Sequence, residues 1–319
     1  MKEKTMSTQI FNFRLFLEGL KRLRVIGLAT AILALTASAL VPLVAWIEGN
    51  RFTGEYRIDT QLLCVPLPFV TLLAPFFFFV LFSFLQKRKE SDFFHSIPYT
   101  RTCVYVSFVT SALVFAWAIQ LACALTAGIL WSIPFFILCD LGGLVSYTLV
   151  CMLATAMLSA FMMLALSVSG TSGSCILQFV LFTGFVRVVA TIFLGCLNSI
   201  VLLPASDMWH SSFFSPLWFL PVNIFWYLME SDMATPVMYS LPNILYSLLV
   251  TLATYALAGL IYKHRKSEMA GNPAPGRKTQ ALFRIMFALI PALLIPLFLI
   301  NGEDDAAMHL VLIVVVMSS

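Results

Sequence analysis

Apolar positions in this chain gather into long unbroken runs divided by short polar segments, and the lengths of those runs predict its elements. Runs at 25–47, 62–85, 103–130, 135–168, 175–203, 241–262 and 285–300 carry almost no charge. About 20 helical residues cross the ~30 Å hydrocarbon core of a bilayer, whereas a barrel strand needs only about 10. The pattern therefore predicts an all-α polytopic membrane protein, with six spans in residues 25–262 and a seventh at 285–300. Run five is longer than the core requires, which predicts that it tilts or protrudes. Residues 310–317 are apolar but too short to span, so 285–319 reads as a seventh span and an incomplete eighth. A chain cut short there is the expectation; a tail packed partway into the outer leaflet is the other reading.

Three stretches depart from plain spans. In residues 1–24, Phe13, Phe16, Leu17, Leu20 and Leu23 share one helical face, and Arg14, Glu18, Lys21 and Arg22 the other. That predicts an amphipathic helix lying among the headgroups. Ala37-Ser38-Ala39 imitates a signal-peptide cleavage site, but the apolar run continues to Ile47 and the basic region before it is too long, so cleavage is not expected. Pro66, Pro68 and Pro75 fall inside the second run and predict a bent span whose freed carbonyls are satisfied by neighbours. Residues 204–240 contain no Lys or Arg, are interrupted by Pro216 and Pro221, and carry Trp209, Trp218, Trp226 and Tyr227. They are too apolar for an aqueous loop and predict short re-entrant or interface-lying helices at the outer leaflet.

Composition agrees with the pattern. Apolar residues make up 61% of the chain and charged residues 11%, with mean hydropathy +0.95, against about a quarter charged in soluble domains. Of the 19 Lys and Arg, 16 fall in 1–24, 86–101 and 263–284; Arg51 and Arg57 lie on the other side and Arg187 within a run. Dense Lys/Arg beside spans marks the cytoplasmic face, so the N-terminus is expected to be cytoplasmic. The basic balance is one-sided in this way and gives no reason to expect a nucleic-acid partner. Cys64, Cys103, Cys123, Cys139, Cys151, Cys175 and Cys196 lie in or beside apolar runs without a CxxC, as small buried apolar residues do.

The segment 86–101, QKRKESDFFHSIPYTR, stands out between two spans. Phe93, Phe94, Ile97 and Tyr99 are interleaved with Asp92, His95 and Ser96, and Pro98 ends any helix begun at Ser91. Phe93 and Ile97 share a face with Phe94 beside them. A short helix with an aromatic knob and an acidic N-terminal end is a docking element; a solvated loop on headgroups is the alternative.

Asp-aromatic-aromatic-His-Ser-Ile-Pro followed by Thr-Arg resembles the first cytoplasmic loop of Firmicutes-type ABC transporter permeases of the ABC-2 group, the type V exporters. KHRKSEMAGNPAP, from Lys263 to Pro275, resembles the basic segment after the sixth span in the same family. The resemblance implies an elbow helix at 1–24, a six-span core, and a coupling helix in 86–101 that seats in a separate ATPase subunit through Asp92, Phe93, Phe94, His95 and Ile97. It further implies an outer hairpin at 204–240, ATP and Mg on the partner ATPase only, and pairing with a second permease chain as homo- or heterodimer. The setting is then a bacterial plasma membrane, and the substrate a hydrophobic, drug-like or peptide molecule for export.

The chain has no GxxxxGK[ST] phosphate loop, no HExxH and no GxSxG, so no enzymatic constellation is legible. Asp140 and Arg187 are placed by helical rise at similar depth on consecutive spans, as a charge pair lining a path. The alternative has Asp140 capping a helix that restarts at Leu141 and Arg187 snorkelling outward. Gln120 and Gln178 are further candidates for polar lining. An ATP-independent channel, a secondary transporter or a membrane scaffold is the rival function.

Overall fold

The computed structural model describes residues 10–52, 65–96, 99–132, 141–200, 219–229, 238–265, 270–271, 280–281, 284–285 and 288. The elements among them are helical: α1 (Phe13–Phe52), α2 (Pro66–Leu81), a 3-10 turn (Ser83–Leu85), α3 (Arg88–Ser96), α4 (Arg101–Ser132), α5 (Leu141–Val168), α6 (Ser172–Ile200), α7 (Leu220–Met229) and α8 (Leu241–His264). Among the described residues four stretches are long and apolar enough to cross a membrane: Phe13–Leu40, Arg101–Ile129, Gly142–Val168 and Leu241–His264. The chain is a membrane-embedded helical protein.

Phe77, Phe78, Phe82, Phe84 and Phe108 fill the interior between α2 and α4, while α4 and α8 turn many of their polar and small residues inward and leucines outward. α8 turns Asn243, Ser247, Thr251, Thr254, Ala258 and Tyr262 inward, while Leu241, Leu245, Leu249, Leu252 and Leu260 face out. α4 does the same with Ser107, Ser111, Ala112, Ala116 and Gln120 inside and Val114, Leu121, Leu125 and Ile129 outside. Lipid tails are as apolar as leucine, so burial of leucine gains little there; close backbone approach and interhelical hydrogen bonds do the holding. α5 is the centre of the arrangement: 78% of its most apolar window is buried, against 22% for α8. α2, α4, α6, α7 and α8 all pack on it, and α1 is held through α4 and α2.

Two expectations are corrected here. Residues 13–24 do not form a separate element, because α1 runs unbroken from Phe13 to Phe52. Its inward stripe is Leu15, Gly19, Leu23, Gly27, Thr30, Ala34 and Ser38, and Phe13 faces away from the bundle, 62% exposed. The glycines set that face. A Cβ on Gly19 would lie 2.2 Å from Ser111 Oγ, and one on Gly27 1.9 Å from the Phe115 ring, so α1 approaches α4 closest along that line. Second, only Pro75 lies inside α2; Pro66 opens the helix and Pro68 sits in its first turn, where a missing N–H costs nothing.

α7 is the helix described in the 204–240 segment, together with Phe219 before it and residues 238–240. Phe219, just before it, meets Phe161 in the second half of α5, at 6.2 Å between ring centroids. Tyr147 donates its hydroxyl to the Ile224 carbonyl at 3.3 Å. Leu220 and Ile224 are fully buried. This short helix thus packs along α5 within the bundle. Apart from Ile285 and Ala288, the run at 285–300 lies outside the described residues, as do the acidic segment after it and the apolar 310–317.

Candidate functional site

The basic end of the bundle is where the two motif segments meet, and helix C-termini explain why. α5 and α8 both end there, as does the 3-10 turn after α2. A helix C-terminus leaves carbonyls without donors and carries partial negative charge. Arg265, the residue that follows α8, is only 3% exposed. It donates from one guanidinium nitrogen to the carbonyls of Leu166 and Ser167 (3.1 Å to the latter) and from another to Leu85 at 2.8 Å. Its planar fork thus closes the ends of α5 and of the 3-10 turn together, a geometry a lysine ammonium cannot copy. Burial pushes this guanidinium down to about 10, so it stays cationic at neutral pH. Arg101, opening α4, donates in turn to the carbonyls of Lys263 (3.1 Å) and Arg265.

The chain beyond Arg265 is tied to the same place. Gly271 donates its N–H to the Gly170 carbonyl at 2.8 Å, in the α5–α6 connection. It holds φ at 91°, a conformation that disfavours residues with a Cβ. Ser172 donates to Gln86 Oε1 at 2.7 Å, across the same connection. Leu85, Gln86 and Arg101 from one motif region and Lys263, Arg265 and Gly271 from the other, far apart in sequence, therefore meet in one hydrogen-bonded collar with the α5–α6 turn.

α3 lies against this collar. It starts at Arg88, not at Ser91, because Arg88, Lys89 and Glu90 are themselves good helix formers. It ends at Ser96, ahead of Pro98, as the restriction on the residue before a proline requires. Asp92 consequently sits mid-helix and exposed, which corrects its expected place at the N-terminal end. Glu90 occupies the first turn and pairs with Lys87 at 2.9 Å.

The two aromatics part company. Phe94 stacks on Phe84 with centroids 4.1 Å apart and meets Phe108 edge-on at 6.1 Å. Arg22 from α1 covers the same ring at 4.9 Å. Phe93 is 63% exposed and sets its ring at 88° to that of Phe94. Phe94 anchors α3 to the bundle, and Phe93 with Asp92 forms its outward surface. The side chain of His95, and Ile97 entirely, lie outside the described residues. Beside this segment an open cleft of about 570 Å³ runs between Tyr99 and residues 10–14.

In the membrane interior, Gln120 is buried at the junction of α4, α2 and α5. Its amide donates to Thr155 Oγ1 (2.7 Å) and Thr71 Oγ1 (3.0 Å), and Thr155 donates to Thr71 at 3.1 Å. Pro75 cannot offer an N–H to the Thr71 carbonyl, so this is also where the α2 ladder is interrupted. Gln120 joins three helices, with its Oε1 buried and without a hydrogen-bond donor among the described residues. Gln178 instead donates to Ser174 Oγ at 2.9 Å in its own helix's first turn, near the basic end. Asp140 and the side chain of Arg187 lie outside the described residues, so the structure does not bring that pair together or separate it. Cys103, Cys123, Cys151 and Cys175 are buried free thiols, as their apolar settings predicted.

Sequence reasoning missed Arg265, Gly19 and Gly27. Arg265 sat in a motif with three other basic residues and nothing in its spelling set it apart. A signal for the glycines existed in their eight-residue spacing, which puts both on one helical face. No family model, curated protein or solved structure matches this chain.

Proposed function

We propose that this chain is the membrane-spanning permease subunit of an ATP-driven ABC exporter, with ATP and Mg bound by a separate ATPase subunit. The observation that carries the reading is α3: a short helix anchored to the bundle by one aromatic while the next aromatic and a carboxylate face outward. A solvated loop on headgroups has no need of such division. In this reading the basic end is cytoplasmic, as the one-sided Lys/Arg distribution favours, and Asp92 and Phe93 seat in a groove of the ATPase. Movement of the ATPase displaces α3, and the helices around α5 respond by opening a route for substrate. The six-span layout, the outer hairpin around α7, pairing with a second permease chain and a location in a bacterial plasma membrane belong to the same proposal.

The test is association. Seating one exposed aromatic in a partner's groove contributes roughly 1.5–3 kcal/mol, so Phe93→Ala is expected to weaken recovery of the genomically adjacent ATPase by about tenfold to a hundredfold. Asp92→Ala should have the smaller effect, about tenfold at most. Abundance and thermal midpoint of the permease in detergent should stay near wild type, since both side chains face outward from the bundle. Equal ATPase recovery from wild type and the Phe93→Ala/Asp92→Ala double variant in nanodiscs would remove the reading.

A further inference from the structure

Docking alone does not explain how motion of α3 would reach the spans, and the collar holds the relevant contacts. α3 follows the 3-10 turn after two residues, and that turn ends at Leu85, with Gln86 next. Two polar groups at this point are held from elsewhere: the Leu85 carbonyl by Arg265 and Gln86 Oε1 by Ser172. Arg265 at the same time holds the last turn of α5, the most enclosed helix, and its own backbone continues α8. Its carbonyl is in turn held by Arg101, the first residue of the helix on the other side of α3. One buried guanidinium, carried at the end of α8, therefore holds both α5 and the 3-10 turn, while the same residue's main-chain carbonyl holds the start of α4, and the groups that accept the guanidinium's hydrogen bonds are carbonyl oxygens. Carbonyl acceptors are numerous at helix ends, so a fork that leaves one can find another one turn away. That gives the joint discrete alternatives where a tight ion pair would lock it.

We propose that Arg265 is a positioning residue, the joint through which displacement of the α3 end of the collar is passed to α5 and α8. This deepens the permease reading and rests on it for the origin of the displacement, but the joint itself is a property of this chain alone. It predicts that the 3-10 turn loses its fixed distance to the α5–α6 connection when the fork is removed, while the bundle interior keeps its packing.

The measurement is cross-linking of Gln86→Cys to Ser172→Cys by a short bifunctional methanethiosulfonate, whose spacer makes up the reach lost with the glutamine amide, in a background without the native cysteines, in nanodiscs. The side chains they replace are hydrogen-bonded at 2.7 Å. Thr71→Cys with Thr155→Cys, whose hydroxyls are 3.1 Å apart in the interior, is the control pair. Cross-linking at 86/172 should slow about tenfold or more with Arg265→Met, and by less with Arg265→Lys, whose single ammonium lacks the two-armed fork, with 71/155 unchanged. If Arg265→Met slows both pairs, the bundle has failed and Arg265→Lys decides: a change confined to 86/172 supports the joint. Equal 86/172 rates in wild type and the deciding variant would overturn it. A second arm adds the adjacent ATPase with ATP and vanadate. The rate at 86/172 should change on trapping in wild type and stay constant in Arg265→Lys, although the ATPase still co-purifies. An equal change in both overturns the joint, whereas an ATPase that fails to bind the wild type sinks the permease reading and leaves the first arm standing.

Discussion

At the scale of single residues, small side chains decide where the helices of this bundle touch. Gly19 is the clearest case, because the atoms a new Cβ would meet include Ser111 Cβ at 2.9 Å, which cannot swing away. Gly19→Leu is expected to push α1 off α4 and cost about 1–3 kcal/mol, the usual range for overpacking. Gly184 in α6 is the matched control, since a Cβ added there would meet nothing within 4 Å. Thermal unfolding in detergent should show a lowered midpoint for Gly19→Leu and an unchanged one for Gly184→Leu; equal midpoints would mean that α1 does not pack through this glycine. The contact was only half legible in the sequence. Hydropathy put Phe13, Phe16, Leu17, Leu20 and Leu23 on one apolar face turned to the headgroup boundary, and did not mark which residues meet α4. In lipid the large apolar side chains lose nothing by facing outward, so Leu15, Gly19, Leu23 and Gly27 take the inside. Gln120 was legible as an interior polar group, but its partners Thr71 and Thr155 were not, since hydroxyl groups in spans bond their own helix as readily as a neighbour.

At the scale of elements, run lengths were a good guide to helices and a poor guide to their ends. α4 and α8 match the predicted spans to within two residues at each end, whereas α1 extends well past both limits of its run and α2 stops short of its own. The difference is chemical. Charged residues such as Arg14, Glu18 and Lys21 end an apolar run without ending a helix, being good helix formers themselves. Pro66 bounds a helix without changing the apolar pattern. α3 shows the same logic on a small scale, with its start displaced to Arg88. A helix of nine residues is marginal alone, so α3 should depend on Phe94 for its order. Phe94→Ala removes the stack on Phe84 and the contacts with Phe108 and Arg22. A loss of about 1.4 kcal/mol raises local opening tenfold, so trypsin should cut at Lys87–Lys89 about ten times faster or more in Phe94→Ala. Phe93→Ala should be cut at the wild-type rate. Equal acceleration in both variants would show that α3 is not anchored by the inner ring. The experiment also separates loss of the helix from loss of its outward surface, which the ATPase pull-down alone would not.

At the scale of the whole molecule, the distribution of charge and the course of the helices bear on one question, which way the bundle faces. Lys87, Lys89, Arg101, Lys263 and Arg265 come together at one end because α3, the start of α4 and the end of α8 meet there. α1 enters from that end, where the Asn12 N–H donates to Ser107 Oγ near the start of α4 at 3.0 Å. It leaves towards the other, so Arg51 in its last turn is carried to the opposite end. This convergence of cations was legible as a tally along the sequence, but that they share one physical end follows from the fold. Lys and Arg beside spans are retained on the cytoplasmic side, and on the orientation proposed above α3 lies in the compartment that holds ATP. Single cysteines in a background without the native ones test this directly. Lys89→Cys should react with a membrane-impermeant maleimide only after cells are permeabilised, and Asn50→Cys, in the last turn of α1, should react in intact cells. Lys89 is exposed on α3, so its replacement should leave the packing undisturbed. Labelling of Lys89→Cys in intact cells, with Asn50→Cys protected, would place α3 outside, away from any ATP-binding partner. The helical bundle and its collar would stand unchanged, and the exporter reading would fall with the orientation on which it depends.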